Sequence, residues 1–132
     1  MRKVFVVLAV AGLLAAMAAP AALAISKACT ATPCGGTNGA DELRERRGNG
    51  LADNISGKGG KDTLRAERYG SDRDVLKGGA GNDTLNARDR DSRDTLEGGP
   101  GTDSCKGDPK DSFRGCETQV ESVTGRVVER VR

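Results

Sequence analysis

A short pattern repeats along the middle of the chain: an Asp, any residue, and then, in most copies, an aliphatic residue. It occurs seven times from Asp41 to Asp103, and successive Asp residues are separated by 12, 9, 12, 9, 11 and 9 positions. Long and short steps alternate, so the larger period is 20 or 21 residues. A fixed period of this length is typical of a solenoid, in which each repeat forms part of a coil and stacks on its neighbours.

The repeats fall into two alternating classes. Four segments keep Gly, two residues, Gly, one residue and Asp; they are GTNGADELR, GKGGKDTLR, GGAGNDTLN and GGPGTDSCK. The three segments between them keep the Asp but lose the second of these glycines, and they follow short insertions with charged residues. One turn of the coil is therefore predicted to carry a glycine-rich loop on one edge and a charged loop on the other.

The two halves of each repeat suit different structures. Glycine permits positive φ, so a glycine-rich loop can turn tightly and direct its carbonyls inward. The residues after each Asp form a short strand that points its apolar side chain to one face. We therefore predict an all-β fold, a parallel β-roll or β-solenoid of about 3.5 turns built from half-turns of 9–12 residues. The predicted interior residues are Leu43, Ile55, Leu64, Leu76, Leu85 and Leu96.

The glycine-rich segments resemble the nonapeptide of the RTX, or haemolysin-type calcium-binding, family, whose pattern is G-G-x-G-x-D-x-U-x with U a large aliphatic residue. The resemblance covers residues 36–106 and implies calcium between stacked loops of one edge, with four loops holding up to three ions. Thr37 and Lys58 depart from the family pattern, since they replace its second glycine. The ligands that the resemblance implies are Asp41, Asp62, Asp83 and Asp103, with the carbonyls of Gly36, Gly39, Gly57, Gly60, Gly78, Gly81, Gly98 and Gly101 or their neighbours.

The charged loops allow two interpretations. Carboxylates there could also bind a cation; the candidates are Asp72, Asp74, Asp89, Asp91 and Asp94. The interpretation that we favour is a solvated edge on which Arg and Asp neutralise each other, because exposed ion pairs are common and weak.

The N-terminus has the features of a Sec-type signal peptide. Arg2 and Lys3 precede an apolar run over residues 4–19, and Ala22-Leu23-Ala24 forms a small-residue cleavage site. A transmembrane anchor is the alternative, but the run is short for one. We expect cleavage after Ala24, secretion without membrane insertion and, with the family resemblance, a bacterial source.

Charge and composition narrow the function. The chain has 21 Lys and Arg against 19 Asp and Glu, and loss of Arg2 and Lys3 with the leader balances the two. A nucleic-acid binder usually keeps a basic excess, so no nucleic-acid partner is expected. The sequence has no His and offers no pairing of a nucleophile with a base, so we expect no enzymatic activity.

Four cysteines suit an exported chain with disulfides, and four allow three connectivities. We favour the local pairs, Cys29 with Cys34 and Cys105 with Cys116, because one lies at each end of the repeats; zinc is the disfavoured alternative. The predicted organisation is a signal peptide (1–24), a disulfide-containing cap (25–35), the calcium-binding repeats (36–106), and a C-terminal cap and tail (107–132). The tail could form a strand, a helix or a mobile segment.

Two functions remain open from the sequence. The first is a secreted module whose β-roll folds around calcium. The second is an extracellular structural or adhesive solenoid in which calcium is incidental. A thin core favours the first, because burying a few aliphatic side chains at about 1.5–3 kcal/mol each does not offset the ordering of this many residues. The macromolecular partner is unknown.

Overall fold

The computed structural model describes residues 23–30, 33–45, 51–66, 72–90, 93–123 and 126–131. Every regular element in these ranges is a β-strand, which confirms the all-β prediction. The strands are β1 Ser26–Cys29, β2 Cys34–Gly35, β3 Glu42–Glu45, β4 Asn54–Gly59, β5 Thr63–Arg65, β6 Val75–Ala80, β7 Thr84–Asn86, β8 Thr95–Glu97, β9 Ser104–Gly107, β10 Ser112–Arg114, β11 Thr118–Val123 and β12 Arg126–Val131.

The strands form two sheets, and the chain passes from one to the other with almost every strand. One sheet has the order β1-β3-β5-β7-β9-β11-β12, and the other has the order β10-β8-β6-β4-β2. All pairs are parallel except β11 with β12, which are antiparallel. Each coil therefore contributes one strand to each sheet, and the fold is a parallel β-solenoid, as predicted, with about four turns where the sequence predicted about 3.5.

The interior is a double ladder of aliphatic side chains. Leu43, Leu64 and Leu85 align across one sheet, and Ile55, Leu76 and Leu96 align across the other. All six are fully buried, as the sequence predicted. Because each layer holds only one such residue from each sheet, the core is narrow.

Both ends of the solenoid carry a disulfide. Cys29 bonds to Cys34 and Cys105 bonds to Cys116, as the prediction of a solenoid capped at both ends requires. Phe113 is partly buried against the core in the last turn. The tail, whose structure the sequence left open, forms the hairpin of β11 and β12 and extends one sheet.

The signal peptide prediction falls largely on residues 1–22, which lie outside the described ranges. Within those ranges, no helix is long and apolar enough to cross a membrane.

Candidate metal centre

A column of carboxylates runs along the glycine-rich edge, hereafter the glycine edge. In each turn the Asp accepts a hydrogen bond at Oδ1 from the backbone N–H of the Asp in the preceding turn. These N–O distances are 2.8 Å from Asp41 to Asp62, 2.8 Å from Asp62 to Asp83, and 2.7 Å from Asp83 to Asp103. The spacing of 20 or 21 residues thus places one oxygen of each Asp in a structural ladder between coils.

Both ends of this column are closed by other groups. At the first rung, the backbone N–H of Ile25 donates to Oδ1 of Asp41 at 2.7 Å. At the last rung, the N–H of Asp103 donates to Oε2 of Glu117 at 2.6 Å. Glu117 therefore replaces the next Asp, and the column contains five carboxylates from residue 41 to residue 117.

The second carboxylate oxygen, Oδ2, of the inner Asp residues takes no part in the ladder. Oδ2 of Asp62, Asp83 and Asp103 is buried, and among the described residues it has no hydrogen-bond partner. All three side chains are at most 2% exposed. A buried carboxylate oxygen without a partner is costly in a protein interior, because the charge loses its hydration. These three atoms are therefore the best candidates for cation ligands on this edge.

Each of these oxygens faces the first glycine of its own loop. A Cβ on Gly78 would collide with Oδ2 of Asp83 and would lie 2.7 Å from the carbonyl oxygen of Gly98. Gly57 stands in the same relation to Asp62 and the Gly78 carbonyl, and Gly98 to Asp103 and the Gly115 carbonyl. Because there is no side chain at these glycines, a carboxylate oxygen and a carbonyl oxygen from adjacent turns lie beside the same small space, which we call a cradle.

The fourth-position glycines lie elsewhere. A Cβ on Gly81, whose φ is +134°, would collide with the carbonyl oxygen of Gly60, and Gly101 stands in the same relation to Gly81. These glycines stack on one another from turn to turn and bring the backbones of adjacent loops close together. The predicted ligands therefore form two groups: the first glycines line the cradles, whereas Gly60, Gly81 and Gly101 each pack against the fourth-position glycine of the preceding loop, which for Gly60 is Gly39.

The first rung differs from the inner rungs. Oδ2 of Asp41 accepts hydrogen bonds from the backbone N–H and the hydroxyl of Thr37, which occupies the position of the second consensus glycine. Burial acts to raise the pKa of Asp41, but the hydrogen bonds from Thr37 and Ile25 together outweigh it and hold the pKa below its ordinary value. Asp41 is thus an ionised carboxylate that the chain itself already binds.

At the inner rungs, the pKa shifts in the opposite direction. Burial raises the pKa of Asp62 to about 6, and the nearby charges of Asp83 and Asp41 add to the effect, against the backbone hydrogen bond from Asp41. Burial likewise raises the pKa of Asp83 and of Asp103. Without a cation, stacked carboxylates in a buried column favour the neutral form; a divalent cation would favour the ionised form instead.

The charged edge carries the same ladder. The N–H of Asp53 donates to Asp74 at 2.8 Å, that of Asp74 to Asp94 at 2.8 Å, and that of Asp94 to Asp111 at 3.0 Å. Carboxylate oxygens of Asp74, Asp89 and Asp94 lie within 4.8 Å of one another, and all three residues are buried. For these residues, the expected solvated edge is wrong, because the long loop folds Asp89 inward. Asp91 lies outside the described residues.

Sequence reasoning missed two rungs. Asp111-Ser112-Phe113 and Glu117-Thr118-Gln119 occupy repeat positions, since Phe113 aligns with Leu96 and Gln119 with Cys105. The signal was present as Asp followed by an aromatic residue and as Glu in place of Asp. Both were hidden because the loops shorten near the C-terminus and because Gln119, though buried, is not apolar.

Comparison with known proteins agrees with the repeats. A family model described as the RTX calcium-binding nonapeptide repeat (4 copies) matches residues 47–68 and 88–109. Each matched range contains one segment of the charged edge and one of the glycine edge. No curated protein and no solved structure shows a significant match.

Proposed function

This chain carries nonapeptide repeats of the RTX calcium-binding family, and from that premise we propose that it is a secreted module whose β-solenoid folds around calcium held along the glycine edge. The observation that carries the proposal is the set of three buried oxygens, Oδ2 of Asp62, Asp83 and Asp103, each lying beside a cradle.

The donor chemistry of the cradles fits calcium. Calcium takes six to eight oxygen ligands with flexible geometry, and both carboxylate and backbone carbonyl oxygens serve. The cradles offer the carboxylates of Asp62, Asp83 and Asp103 together with the carbonyls of Gly78, Gly98 and Gly115. We assign one ion to each cradle, up to three in all. Asp41 remains in the ligand set that the family implies, although Thr37 already binds its second oxygen.

Bound calcium would neutralise the charge that the fold otherwise concentrates. Five carboxylates stand one above another on this edge, and each of the three inner ones is almost completely buried. The narrow core supplies little free energy to offset their repulsion. Folding and ion binding are therefore coupled, and affinity should be modest, about 10⁻⁴ to 10⁻³ M as in extracellular calcium modules.

The test is a calcium titration of the oxidised chain over residues 25–132, followed by circular dichroism. We expect β-structure to increase with calcium, and magnesium at the same concentration to have a weaker effect because it demands a smaller, more rigid octahedral site. The matched control is Glu97→Gln, on an outward side chain that forms only exposed ion pairs. Identical spectra in chelator and in calcium would reject this function in favour of a solenoid in which calcium is incidental.

We also propose export and a non-catalytic role. The leader features at residues 1–24 support export, and N-terminal sequencing of the exported protein should begin at Ile25. The absence of His from the sequence supports a non-catalytic role, as does the use of Asp side chains as rungs of the two ladders.

A further inference from the structure

The predicted cleavage point lies directly against the carboxylate column. The backbone nitrogen of Ile25 donates to Oδ1 of Asp41 at 2.7 Å, and the carbonyl of Ile25 accepts from the N–H of Glu42 at 2.8 Å. The side chain of Ile25 is partly buried against the core. Ile25, the first residue after cleavage, is therefore held by its nitrogen, its carbonyl and its side chain, and Asp41 is the partner of its nitrogen.

Ile25 occupies the place of a missing rung. β1 pairs with β3 so that Ser26 aligns with Glu42, which puts Ile25 level with Asp41. Its N–H relates to Asp41 as the N–H of Asp41 relates to Asp62. The ladder thus begins at Ile25, which supplies an N–H donor but no carboxylate. It donates to Asp41, whose second oxygen already accepts hydrogen bonds from Thr37.

We propose that cleavage after Ala24 turns this donor into an α-ammonium that forms an ion pair with Asp41 and locks the first turn of the solenoid. The inference rests on the proposed export of the protein. Hydrolysis of the Ala24–Ile25 peptide bond consumes one water; Ala24 leaves as a carboxylate, and the Ile25 nitrogen becomes an ammonium group. A neutral donor with one hydrogen is replaced by a charged donor with three.

The surroundings of Asp41 suit the α-ammonium group that cleavage creates on Ile25. In the uncleaved chain, Asp41 is 3% exposed and lies within hydrogen-bond distance of the Ile25 nitrogen, so a positive charge on that nitrogen would favour its ionised form. In the uncleaved chain, the hydroxyl of Thr37 lies close to both the carbonyl of Leu23 and the carboxylate of Asp41. Cleavage removes Leu23, which leaves Asp41 as the acceptor of the hydroxyl proton, while the N–H of Gly39 still donates to the hydroxyl oxygen at 3.0 Å. Processing therefore strengthens two contacts at the same carboxylate, and a charge-assisted hydrogen bond is about twice as strong as a neutral one.

Cys29 allows the charge to be tested without changing the length of the chain. Native chemical ligation can join a peptide of residues 25–28 to a chain that begins at Cys29, and the peptide can carry either a free or an acetylated amine. Acetylation retains one N–H donor and removes the charge. A third protein begins at Ala24, which moves the amine one residue away. Each is also made with Asp41→Asn, and all six are oxidised and melted at pH 7 in calcium and in chelator.

We expect the free amine at Ile25 to melt about 4–8 °C above the acetylated chain and the chain that begins at Ala24. The difference should vanish with Asp41→Asn; if that variant does not fold, the three proteins with Asp41 decide alone. Equal melting temperatures for free and acetylated chains would overturn the inference, as would a difference that persists with Asp41→Asn. If the free amine raises the melting temperature but calcium has no effect on folding, the proposed function is rejected and the inference stands. If calcium promotes folding but the free and acetylated chains melt alike, the inference is rejected and the proposed function stands.

Discussion

The glycine edge and the charged edge are built on the same hydrogen-bond ladder but surround it differently. On both, the N–H of one Asp donates to Oδ1 of the Asp in the next turn at 2.7–3.0 Å. Among the described residues, a glycine and a carbonyl of the next turn lie beside the second oxygen of Asp62, Asp83 and Asp103 on the glycine edge. On the charged edge, Gly107 lies against the second oxygen of Asp111, which already accepts a hydrogen bond from the N–H of Asp108. The ladder contact of each Asp does not depend on these glycines, so a repeat can lose its glycines without losing its place in the coil.

Replacing a fourth-position glycine that packs against the preceding loop should cause the largest loss of folding stability. Gly81→Ala places a Cβ against the carbonyl of Gly60 at a φ of +134°, where backbone and side chain both oppose it. We expect a loss of about 3 kcal/mol or more and no calcium-induced β-structure by circular dichroism. The control is Gly59→Ala, whose Cβ would meet its nearest neighbours at 3.8 Å. If the two variants behave alike, close stacking of the loops is not what distinguishes the glycine edge.

Removing one carboxylate on each edge compares their capacity for ions. Asp83→Asn keeps an oxygen for the ladder but lowers the charge of the cradle, so the calcium midpoint of folding should rise about tenfold. Asp94→Asn keeps its ladder oxygen too, at a carboxylate that none of the described glycines faces, and should shift the midpoint less than Asp83→Asn does. Equal shifts would show that the charged edge also binds calcium, with the buried group of Asp74, Asp89 and Asp94 as the site.

Acid should stabilise the fold when calcium is removed. Because the pKa of Asp62 is raised to about 6 in the folded state, the folded chain binds more protons than the unfolded chain between about pH 4 and pH 6. In chelator, the fraction of folded chain should therefore increase as pH falls from 7 to 5, measured as β-structure by circular dichroism. With calcium bound, acid should act in the opposite direction, because protons compete with the ion.

The variant Asp62→Asn should reduce this acid stabilisation without removing it. Asp83 and Asp103 on the same edge, and Asp111 on the charged edge, also have pKa values raised by burial. An unchanged pH profile would show that Asp62 does not titrate as part of the column.

The smallest effect is expected from residues that occupy glycine-like conformations. Lys58 has a φ of +81° on the glycine edge, and Arg90 has a φ of +80° on the charged edge. Each replacement by glycine should relieve roughly 1 kcal/mol of backbone strain. Lys58→Gly should also lower the calcium midpoint, because Lys58 lies at a consensus glycine position, whereas Arg90→Gly should leave it unchanged. A shift of the midpoint for Arg90→Gly would mean that the two edges are coupled.

Much of the fold could be predicted because spacing alone encodes it. Periodic Asp and aliphatic residues fix the register of the coils, and Leu43, Leu64 and Leu85 align as the period requires. The cysteine positions at both ends indicated the two disulfides. The last half-turns were missed because Phe113 and Glu117 fill repeat positions with other residue types at shorter spacing.

The sequence could not predict that the two oxygens of one Asp carboxylate have different partners. Residue types show that Asp83 can bind a cation, but not that one of its oxygens already accepts the N–H of Asp62. That contact joins residues 21 positions apart, and it exists only once two coils are stacked. The burial of Asp89 beside Asp74 is likewise a product of how a long loop folds, for which the charge pattern gives no signal.

The ladder also gives the molecule a direction of assembly. Every rung donates toward the C-terminus: Ile25 to Asp41, Asp41 to Asp62, and finally Asp103 to Glu117. A turn cannot satisfy its own Asp N–H until the turn after it is present. Glu117, which directly follows the disulfide between Cys105 and Cys116, supplies the last acceptor of the column. A chain that emerges N-terminus first would thus complete each rung of this edge only after the next turn has been made, and the last rung only when Glu117 has arrived.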